Sequence, residues 1–523
     1  MQRLLLYRGV RCRPLTLVLA LTLSILCCTR LAPASEKGWE IYSKAQQHII
    51  VIAGGGVPKR PVLIRRKISN GAWELKLLRL DDFPKAKIKS ETPVAGQIIE
   101  PNSYQAYIDG ILAGIRESKN HHIFFFIHGG MNSTSGAALR AARLLSDDES
   151  GGSDFDLSNT GYPIFICWDS YFTGYFEQVT WVRAGHSERY GQSTGHSLYA
   201  LTTMPFHLLA DVGRGFTRFP AELSEFVHND VYSIDPYPYS EFVAMQNEIR
   251  YLKSHPEVGL HISDTPTIPE TLQRKAENVQ TGLLYPIRTL SLPVIDSIGV
   301  GAWENMLRHV DTMFDRADTG TRRHPTPVEQ TVVNDQTGAL AIFFSRLQAD
   351  ADLGNRPIIL VGHSMGAIVG NRIVSAYPRL HFSRIVYMGA ACSFRDFQAQ
   401  VIPYMIYHHE TKFFNLSLHP LCEAGEVALS PQHLKLDIAP RGSLLVWLDN
   451  IFTGPPSEDE RRLGIFQSTI LASHNFPEKV RPQITLKCFD FNGNEPNPPL
   501  IWHPQHHADF ADGPFWNPDY WRL

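Results

Sequence analysis

The sequence predicts a mixed α/β protein built on a mostly parallel central sheet with helices on both of its faces. Between His122 and Phe491, short apolar runs alternate with stretches of helical periodicity, which is the order that such a sheet requires. The runs at 123–127 and 358–361 are apolar at every position, as expected of strands buried on both sides. With 523 residues, 43% of them hydrophobic, the chain can bury a large core in one elaborated domain or two.

The charge balance argues against a nucleic-acid partner. Only 19% of the residues are charged and the formal net charge is −3, with an isoelectric point near 6.7. A protein that binds nucleic acid through the phosphates usually carries a basic patch or a strongly basic domain. We therefore expect no nucleic-acid partner.

Residues 1–34 have the features of a secretory signal peptide. Basic residues precede an apolar run from Leu15 to Cys28, and the Ala-Pro-Ala sequence at 32–34 supplies the small residues of a cleavage site. The run is shorter than the roughly 20 apolar residues that a spanning helix needs. We expect cleavage after Ala34 and a secreted or periplasmic protein of residues 35–523. Lipid attachment at Cys28 is the alternative, although the residues before it are not the small ones expected there.

Four cysteines remain after the predicted signal, Cys167, Cys392, Cys422 and Cys488. None lies in a CxxC pair or at a spacing to histidine that is typical of a metal site. Each follows or lies within a predicted strand, so each can serve as a small buried hydrophobic residue. Export would permit disulfides, but the sequence does not determine a pairing.

The first part of the mature chain predicts β-structure followed by a helix. Runs rich in β-forming residues at 48–53, 61–68 and 73–80 are separated by Gly, Pro and Asn. Apolar residues between Tyr104 and Arg116 recur with helical periodicity. This region is expected to supply the first strands of the sheet and a helix beside it.

A central strand and a tight loop follow in the stretch 122–132. Five apolar residues run into His128-Gly129-Gly130, where glycine lets the backbone approach a neighbouring group closely. The simpler interpretation is a turn with His128 packed beneath it. A helix at 137–145, a polar surface loop at 146–160 and a strand at 162–170 complete this part, and Trp168 is expected to form a wall.

The stretch 171–331 is longer than the connection between two strands needs. It contains three predicted helices, at 198–209, 241–252 and 303–314, and a further helix at 334–347 leads to the next strand. We interpret 171–331 as a large inserted cap over the site, and a separate domain with its own core is the alternative. The apolar stripe of the cap suggests contact with a membrane surface, although the same residues could pack internally.

The sequence Gly362-His363-Ser364-Met365-Gly366 carries the strongest functional signal. It follows the apolar strand at 358–361 and opens a helix predicted over 365–376. A serine between two glycines suits a sharp strand-to-helix turn, in which side chains at the flanks would collide with neighbouring elements. Such a turn directs the Ser364 hydroxyl towards solvent and places it at a helix N-terminus, where developing negative charge is stabilised. A glycine-rich turn that holds a serine by chance is the simpler alternative.

Acidic residues and histidines follow the strands predicted beyond this helix, at 384–391, 412–420 and 483–491. Their order along the chain is Asp396, Glu423, Glu426, His503, His506 and His507. A serine hydroxyl is a poor nucleophile until an imidazole takes its proton, and the imidazole in turn needs a carboxylate. All three kinds of group are therefore present after predicted strands.

In these motifs the chain resembles the α/β-hydrolase superfamily of serine esterases and lipases. The resemblance rests on the turn at 362–366, the loop at 128–130, the order serine, acid, histidine, and the His-Ala-Asp-Phe sequence at 507–510. It implies an α/β-hydrolase fold and an oxyanion hole formed by two backbone N–H groups. One of these comes from the loop after the strand at 123–127 and the other from the residue after the nucleophile.

The resemblance also implies a role for each candidate residue. Ser364 is the nucleophile, and the oxyanion donors are Gly130, with Met131 as the neighbouring alternative, and Met365. His507 is preferred to His503 and His506, because similar hydrolases close with a short His-x-Asp-Phe sequence. Glu423 is the expected acid, with Glu426 close behind it; Asp396 is a rival, since some lipases place their acid after the intervening strand.

The expected function is that of a secreted serine hydrolase that cleaves carboxylic esters through an acyl-enzyme intermediate. Its substrate would be a small-molecule or lipid ester, and no metal or organic cofactor is implied. Two other classes remain open. A peptidase or thioesterase would share the triad, and a non-catalytic binding protein could keep the same fold.

Overall fold

The structure is a computed structural model that describes residues 39–69, 73–83, 103–150, 157–171, 174–183, 194–231, 239–263, 286–315, 338–426, 442–490, 504–511 and 514–517. The predicted signal peptide at 1–34 lies outside the described residues, as does His503. The residues from Ile41 onward form one compact unit.

Nine of the eleven strands of the described chain overlap predicted runs, in the predicted order, whereas the two-residue strands Glu40–Ile41 and His261–Ile262 were not predicted. The eleven strands are β1 (Glu40–Ile41), β2 (Ile49–Ala53), β3 (Val57–Lys67), β4 (Trp73–Asp82), β5 (Ile123–Ile127), β6 (Tyr162–Trp168), β7 (His261–Ile262), β8 (Ile358–His363), β9 (Phe382–Met388), β10 (Lys412–Ser417) and β11 (Ile484–Cys488).

The sheet is mixed but mostly parallel, as predicted. Its neighbours follow the order β3-β2-β6-β5-β8-β9-β10-β11-β7, and β4 pairs with β3. Among the described strand pairs from β2 to β11, only β2–β3 and β3–β4 are antiparallel. The fully apolar strands β5 and β8 lie side by side in the centre, where both faces of a parallel sheet are covered.

The described helices lie before, between and after these strands. They are α1 (Tyr104–Glu117), α2 (Thr134–Ser150), α3 (Leu157–Thr160), α4 (Gly174–Glu177), α5 (Thr194–Val231), α6 (Tyr239–Ser254), α7 (Pro286–Thr312), α8 (Ala339–Ala349), α9 (Gly366–Ala376), α10 (Phe394–Gln400), α11 (Ile402–Tyr407), α12 (Pro420–Gly425), α13 (Leu444–Trp447) and α14 (Phe466–Leu471).

Two hydrophobic cores cover the two faces of the sheet. Alternate residues of β5 belong to different cores, with Phe125 in the larger one and Phe124 and Phe126 in the smaller one. Since successive side chains of a strand point to opposite faces, the two cores lie on opposite sides of the sheet. Helices α1, α8 and α9 contribute to the larger core and α2 to the smaller, so the prediction of helices on both faces is confirmed.

The stretch 171–331 does more than stand above the sheet. Its short strand β7 pairs in parallel with β11 and extends the sheet. Helices α6 and α7 place Met245, Ile249 and Trp303 in the larger core, together with residues of the central strands. The covering layer on this face is therefore partly built from the insertion.

Helix lengths differ most from the prediction in this stretch. Helix α5 covers 38 residues, whereas the sequence predicted only 198–209, and α7 begins 17 residues before the predicted Trp303. Prolines at 205, 220 and 293, which normally end or kink a helix, lie inside these two elements. Packing of α5 along α7 compensates for the weak local signal. Helix α2 likewise continues to Ser150, five residues into the predicted surface loop.

The four described cysteines, Cys167, Cys392, Cys422 and Cys488, are buried, and no disulfide joins any two of them. Burial raises the pKa of the Cys392 and Cys422 thiols to about 12. They act as small hydrophobic side chains, which was one of the two interpretations of the sequence; the other was disulfide formation. Among the described residues, no helix is both long enough and apolar enough to cross a bilayer.

Candidate active site

Ser364 occupies a strained turn between β8 and α9. Its φ angle is 53°, a left-handed conformation that is unfavourable for a residue with a side chain. The backbone is held on both sides, because the Ser364 N–H donates to the Met388 carbonyl (2.8 Å) and the Ala391 N–H donates to the Ser364 carbonyl (3.0 Å). The end of β9 thus fixes the turn.

Both glycines of the motif are required by close backbone contacts. A Cβ atom on Gly366 would lie 2.2 Å from the Ile127 carbonyl oxygen, and one on Gly362 would lie 2.8 Å from the Ala367 nitrogen. Real side chains do not approach so closely, so β5, β8 and α9 can meet here only through glycine. The local geometry expected from the sequence is confirmed.

The expected exposure of Ser364 is wrong. The residue is only 1% exposed, and its Oγ atom is buried with no hydrogen-bond partner among the described residues. Gly129 covers it closely, since a Cβ on that glycine would lie 2.7 Å from the Ser364 Cβ. The hydroxyl therefore faces a closed, desolvated space between β8 and the loop after β5.

His128 braces the loop after β5. Its Nε2 accepts the Trp168 N–H (3.0 Å), so the proton is on Nδ1, which donates to the Gly129 carbonyl (2.7 Å). The Trp168 indole N–H donates to the His128 carbonyl (3.2 Å). Burial lowers the pKa of His128 to about 4, which keeps the ring neutral. Both simpler interpretations hold here, because His128 packs beneath the turn and Trp168 forms the wall behind it.

The carbonyl groups of the same loop are held away from the site by two polar residues. Asn132 Nδ2 donates to the carbonyls of Gly129 (3.2 Å) and Gly130 (3.0 Å), and the Ser170 hydroxyl donates to Gly129 (3.1 Å). The sequence reasoning missed both residues. The one feature of the sequence that could have identified them is their position, since each lies shortly after the end of a central strand.

One of the two candidate N–H donors in this loop is already occupied. The Met131 N–H donates to the Ser170 carbonyl (2.7 Å), and Met131 has a φ angle of 62°. The N–H groups of Gly130 and Met365 make no hydrogen bond within the described part of the chain. The two residues also adjoin, because a Cβ on Gly130 would lie 3.0 Å from the Met365 sulfur. This geometry favours Gly130 over Met131 as the donor.

His507 lies against Gly389. This glycine follows Met388, whose carbonyl accepts the Ser364 N–H. A Cβ on Gly389 would lie 2.8 Å from His507 Cε1, and Gly389 directly follows Met388 at the end of β9. The ring is buried, and neither of its nitrogens has a hydrogen-bond partner among the described residues. Burial lowers the pKa of His507 to about 4, so the imidazole is neutral and able to accept a proton at neutral pH.

The backbone of His507 is anchored at both ends. Its N–H donates to a carboxylate oxygen of Glu426 (3.0 Å), and its carbonyl accepts the Nε2–H of His363 (3.0 Å). The rings of His363 and His507 lie 5.1 Å apart between centroids. His363, the residue before Ser364, was not singled out in the sequence, and it links the Ser364 turn directly to His507.

The neighbouring histidine, His506, is a surface residue. Its side chain is 61% exposed, and its Nδ1 lies 3.3 Å from the Asp509 carboxylate. Asp509 also accepts the backbone N–H groups of Gln505 (2.9 Å) and His506 (2.8 Å), which is a local turn contact. The hydrogen bond that the His506 ring donates to Asp509 raises the pKa of His506. This pair stabilises the turn rather than facing Ser364.

Glu423 is buried but does not contact the imidazole. Its residue exposure is 1%, one carboxyl oxygen accepts the Ser443 hydroxyl, and Oε1 has no hydrogen-bond partner among the described residues. Burial raises its pKa to about 8. No hydrogen bond joins a carboxylate to the ring of His507 in the described part of the chain, so the bond expected between these two residues is not formed here.

Asp396, the rival acid, is a helix cap. Ser393 and Asp396 form a reciprocal capping box at the start of α10, with the Asp396 N–H 3.0 Å from the Ser393 hydroxyl. Asp396 is also exposed. Its carboxylate satisfies a helix terminus and does not reach towards Ser364.

Comparisons of this chain with protein-family models, with curated proteins and with solved structures found no match. The site contains a strained, buried serine and, on the segments around it, two backbone N–H groups without a partner among the described residues, a neutral buried histidine, the buried Glu423 and the partly buried Glu426.

Proposed function

We propose that this protein is a serine hydrolase of the α/β-hydrolase fold that cleaves carboxylic esters. Ser364 is the nucleophile, His507 the general base, Glu423 the acid, and the N–H groups of Gly130 and Met365 bind the oxyanion. The observation that carries the proposal is the strained Ser364 turn, whose buried hydroxyl and following Met365 N–H have no hydrogen-bond partner among the described residues. The neutral, buried imidazole of His507 lies against Gly389, next to Met388, whose carbonyl accepts the Ser364 N–H. Strain of this kind persists only where the surrounding structure imposes it, and it clusters at active sites.

The proposed reaction has two steps. In the first, His507 takes the Ser364 proton as Oγ attacks the ester carbonyl, the Gly130 and Met365 N–H groups stabilise the oxyanion, and the proton then passes to the departing alcohol. In the second, water attacks the acyl-Ser364 ester and His507 takes a proton from that water; as the bond to Ser364 Oγ breaks, His507 returns the proton to Oγ and the acid product leaves. The N-terminus of α9 adds a favourable dipole at the developing charge.

The two glutamates are proposed to differ in role. Glu426 holds the His507 backbone N–H, so it positions the segment that carries the imidazole. Glu423 has a buried carboxyl oxygen with no partner, and a buried acceptor of this kind is costly unless something binds it. An imidazolium formed during catalysis would supply that partner. Asp396 is less suitable because its carboxylate caps α10.

One observation favours a second candidate, a non-catalytic binding protein with this fold. The ring of His507 accepts and donates no hydrogen bond within the described residues, and a serine hydrolase needs an acid that fixes the imidazole tautomer. A peptidase or thioesterase would use the same groups as an esterase, so these differ from the main proposal only in substrate.

The experiment that tests the proposal is covalent labelling of the full chain with a fluorophosphonate. We expect the native protein to be labelled and to hydrolyse short-chain esters, and the Ser364→Ala variant to do neither. Ser254→Ala, which removes an exposed hydroxyl far along the chain, is the matched control and should behave as the native protein. Absence of labelling in a folded native protein would favour the binding protein, and a panel of ester, thioester and peptide substrates would separate the hydrolase classes.

We also propose that the protein is exported. The support is the order of basic, apolar and small residues in 1–34. Mass spectrometry of secreted material should show Ser35 at or near the N-terminus. An acylated Cys28 would contradict this and indicate a lipid anchor.

A further inference from the structure

Helix α5 exposes an apolar side. Between 199 and 220, twelve positions of this helix are exposed, and none of them carries a charged side chain. The large apolar ones among them are Tyr199 (57% exposed), Leu201 (54%), Phe206 (71%), Leu209 (68%), Val212 (41%) and Phe216 (63%). They repeat at helical spacing over 18 residues, so the apolar side is about 27 Å long.

The charged residues of the same stretch lie on the opposite, inward side of α5. Asp211 is buried and pairs with Arg183 (2.5 Å) and with the Tyr175 hydroxyl (3.1 Å). Arg214 and Arg218 both pair with the fully buried Asp296 of α7, at 3.4 and 3.2 Å. The helix is thus reversed relative to the usual surface helix, which buries its apolar side and exposes its charges.

This reversed packing is held firmly by a close helix crossing. A Cβ on Gly215 would lie 2.2 Å from the Pro293 carbonyl, so α5 and α7 touch backbone to backbone at this point. The Ser297 hydroxyl of α7 also donates to the Asp211 carbonyl (2.9 Å). Together with the ion pairs, these contacts fix which side of α5 faces outward.

Polar groups on the exposed side are satisfied within the helix. The Thr202 hydroxyl donates to the Tyr199 carbonyl (2.8 Å) and the Thr217 hydroxyl to the Arg214 carbonyl (2.8 Å). Pro205 and Pro220, which lack an N–H, occupy two more exposed positions. A protein partner is normally met by a polar rim with hydrogen bonds, whereas lipid requires that polar groups be satisfied internally.

We propose that the side of α5 formed by Tyr199, Phe206, Leu209 and Phe216 docks on the surface of a lipid bilayer. The helix lies in the interface, with its apolar side chains among the acyl chains near the headgroups. Because the exposed side carries no charge, zwitterionic lipid is sufficient and anionic lipid is not required. The inference does not depend on the activity proposed for Ser364.

The docked side is also connected to the candidate active site. Phe176 of α4 is 50% exposed and adjoins Tyr175, whose hydroxyl binds Asp211 of α5. Met131, in the loop after β5, is 49% exposed and donates its N–H to the Ser170 carbonyl. Tyr171, which follows Ser170, is 46% exposed. Exposed apolar side chains therefore occur on each segment from α5 to the loop that covers Ser364, as suits a site that receives apolar molecules from the bilayer.

The test is sedimentation of the full chain with phosphatidylcholine vesicles. The native protein should bind, and Phe206→Asp combined with Leu209→Asp should weaken partitioning about tenfold or more, since each side chain no longer transfers to an apolar phase. Vesicle binding should change little between roughly 50 and 500 mM salt. Salt screens interactions between exposed charges, whereas it does not screen apolar contacts with lipid.

Matched controls use exposed apolar residues elsewhere. Tyr407→Asp and Leu78→Asp alter side chains that are 83% and 48% exposed, and they should leave vesicle binding unchanged. Circular dichroism and the thermal midpoint should show that all variants fold, since none of these side chains is buried. A signal sequence that inserts by itself would bind equally in every variant.

Three outcomes would overturn the proposal. Equal binding of the native protein and the Phe206/Leu209 double variant would show that another segment binds lipid. Binding only to vesicles that contain an anionic lipid would show that charge, and not this apolar side, drives association. Self-association without lipid that is lost in the double variant, with no vesicle binding, would show that a second copy of the chain covers α5.

Discussion

The turn around Ser364 and the segments that carry Glu423 and His507 are both buried, but they are specified in different ways. The first is a contiguous stretch, β8 through α9, whose contacts are nearly all between backbone atoms. The second joins residues far apart in the chain, and the Glu426–His507 contact alone spans 81 residues. Backbone geometry leaves the first region little freedom, whereas the second depends on which side chains happen to meet.

The difference appears in how completely each region is satisfied. Around Ser364, the backbone N–H and carbonyl of the turn are paired, and the hydroxyl and N–H groups without a partner among the described residues are those that the proposed reaction uses. Around Glu423, one carboxyl oxygen is paired with Ser443 and the other has no partner among the described residues. A second buried carboxyl shows the contrast, because Asp449 binds both the side chain and the backbone N–H of Arg462 (3.0 and 3.1 Å). The unpaired oxygen of Glu423 costs stability, so stability alone does not explain a buried glutamate at this position. This favours a functional role for Glu423.

The largest expected effect comes from removing the two groups that perform the chemistry. Ser364→Ala and His507→Ala should each reduce kcat/KM by about 10⁴–10⁶-fold, and the double variant should be no worse than the worse single one, because the two act as a unit. Ester hydrolysis by purified full chain measures this. Additive losses would mean that His507 acts independently of Ser364.

The next effect separates the carboxylates. Measured above pH 8, where the Glu423 carboxyl with its raised pKa of about 8 is ionised, Glu423→Gln should reduce kcat by up to about 10⁴-fold while leaving the fold intact, because an amide cannot stabilise an imidazolium as a carboxylate does. Glu426→Gln should be much milder, since the amide oxygen can still accept the His507 N–H. Asp396→Asn should mainly cost about 0.5–1 kcal/mol of stability through the weakened cap of α10.

A different ranking among these three variants would reassign the acid. If Glu426→Gln caused the larger loss of kcat, then Glu426 rather than Glu423 would orient the imidazole. If all three kept full activity, the protein would act, if at all, through a serine–histidine pair.

A smaller effect should follow from adding one methyl group beside the imidazole. Gly389→Ala requires a left-handed conformation at φ 53°, which costs about 1–2 kcal/mol, and its Cβ would push on His507. Displacing the base by about 1 Å can lower the rate about 100-fold. Gly425→Ala is the control, because that glycine has open space around it. Unfolding midpoints and kcat for both variants measure the two contributions, and equal kcat values would place the base elsewhere.

The smallest effect concerns pH. The base must be neutral to work, and burial lowers the pKa of His507 to about 4 from an ordinary value of 6.5. The acid limb of the kcat/KM profile should therefore have its midpoint nearer pH 4 than pH 6.5. A midpoint near 6.5 would mean that a carboxylate stabilises the charged imidazole in the working enzyme, and Glu423→Gln should then move it to lower pH.

The same burial sets the direction of acid lability. His128, His363 and His507 all have lowered pKa values, so between pH 6.5 and about 4 the unfolded chain binds protons that the native chain does not. Native stability should fall as the pH drops through this window. The raised pKa of Glu423 acts in the opposite direction between pH 4.5 and 8, where the native chain holds the extra proton. Urea midpoints of the native protein and Glu423→Gln across pH 4–9 separate the two.

Much of the architecture could be predicted because it depends on local periodicity. Runs such as Ile123–Ile127 form strands because apolar residues at every position suit only a strand that is covered on both faces. The strand–Ser364–helix turn was equally readable, since only glycine tolerates the close contacts on either side. In both cases the information lies within about twenty consecutive residues.

Other features were decided only by tertiary contacts. The sequence could not show that Ser364 is enclosed, since the residue that covers it, Gly129, follows a different strand. It also could not show that the Met131 N–H donates to the Ser170 carbonyl. It could not choose among the carboxylates, since Asp396 caps a helix and Glu423 binds Ser443 for reasons that depend on residues 3 and 20 positions away.

Helix α5 shows the limit most clearly. Its sequence has an apolar stripe, and a stripe by itself predicts burial; the stripe faces outward only because Asp211, Arg214 and Arg218 find buried partners on the other side. Periodicity specifies that a helix has two sides. Which of them faces the protein depends on the free energy of contacts with distant residues, and those contacts exist only once the chain has folded.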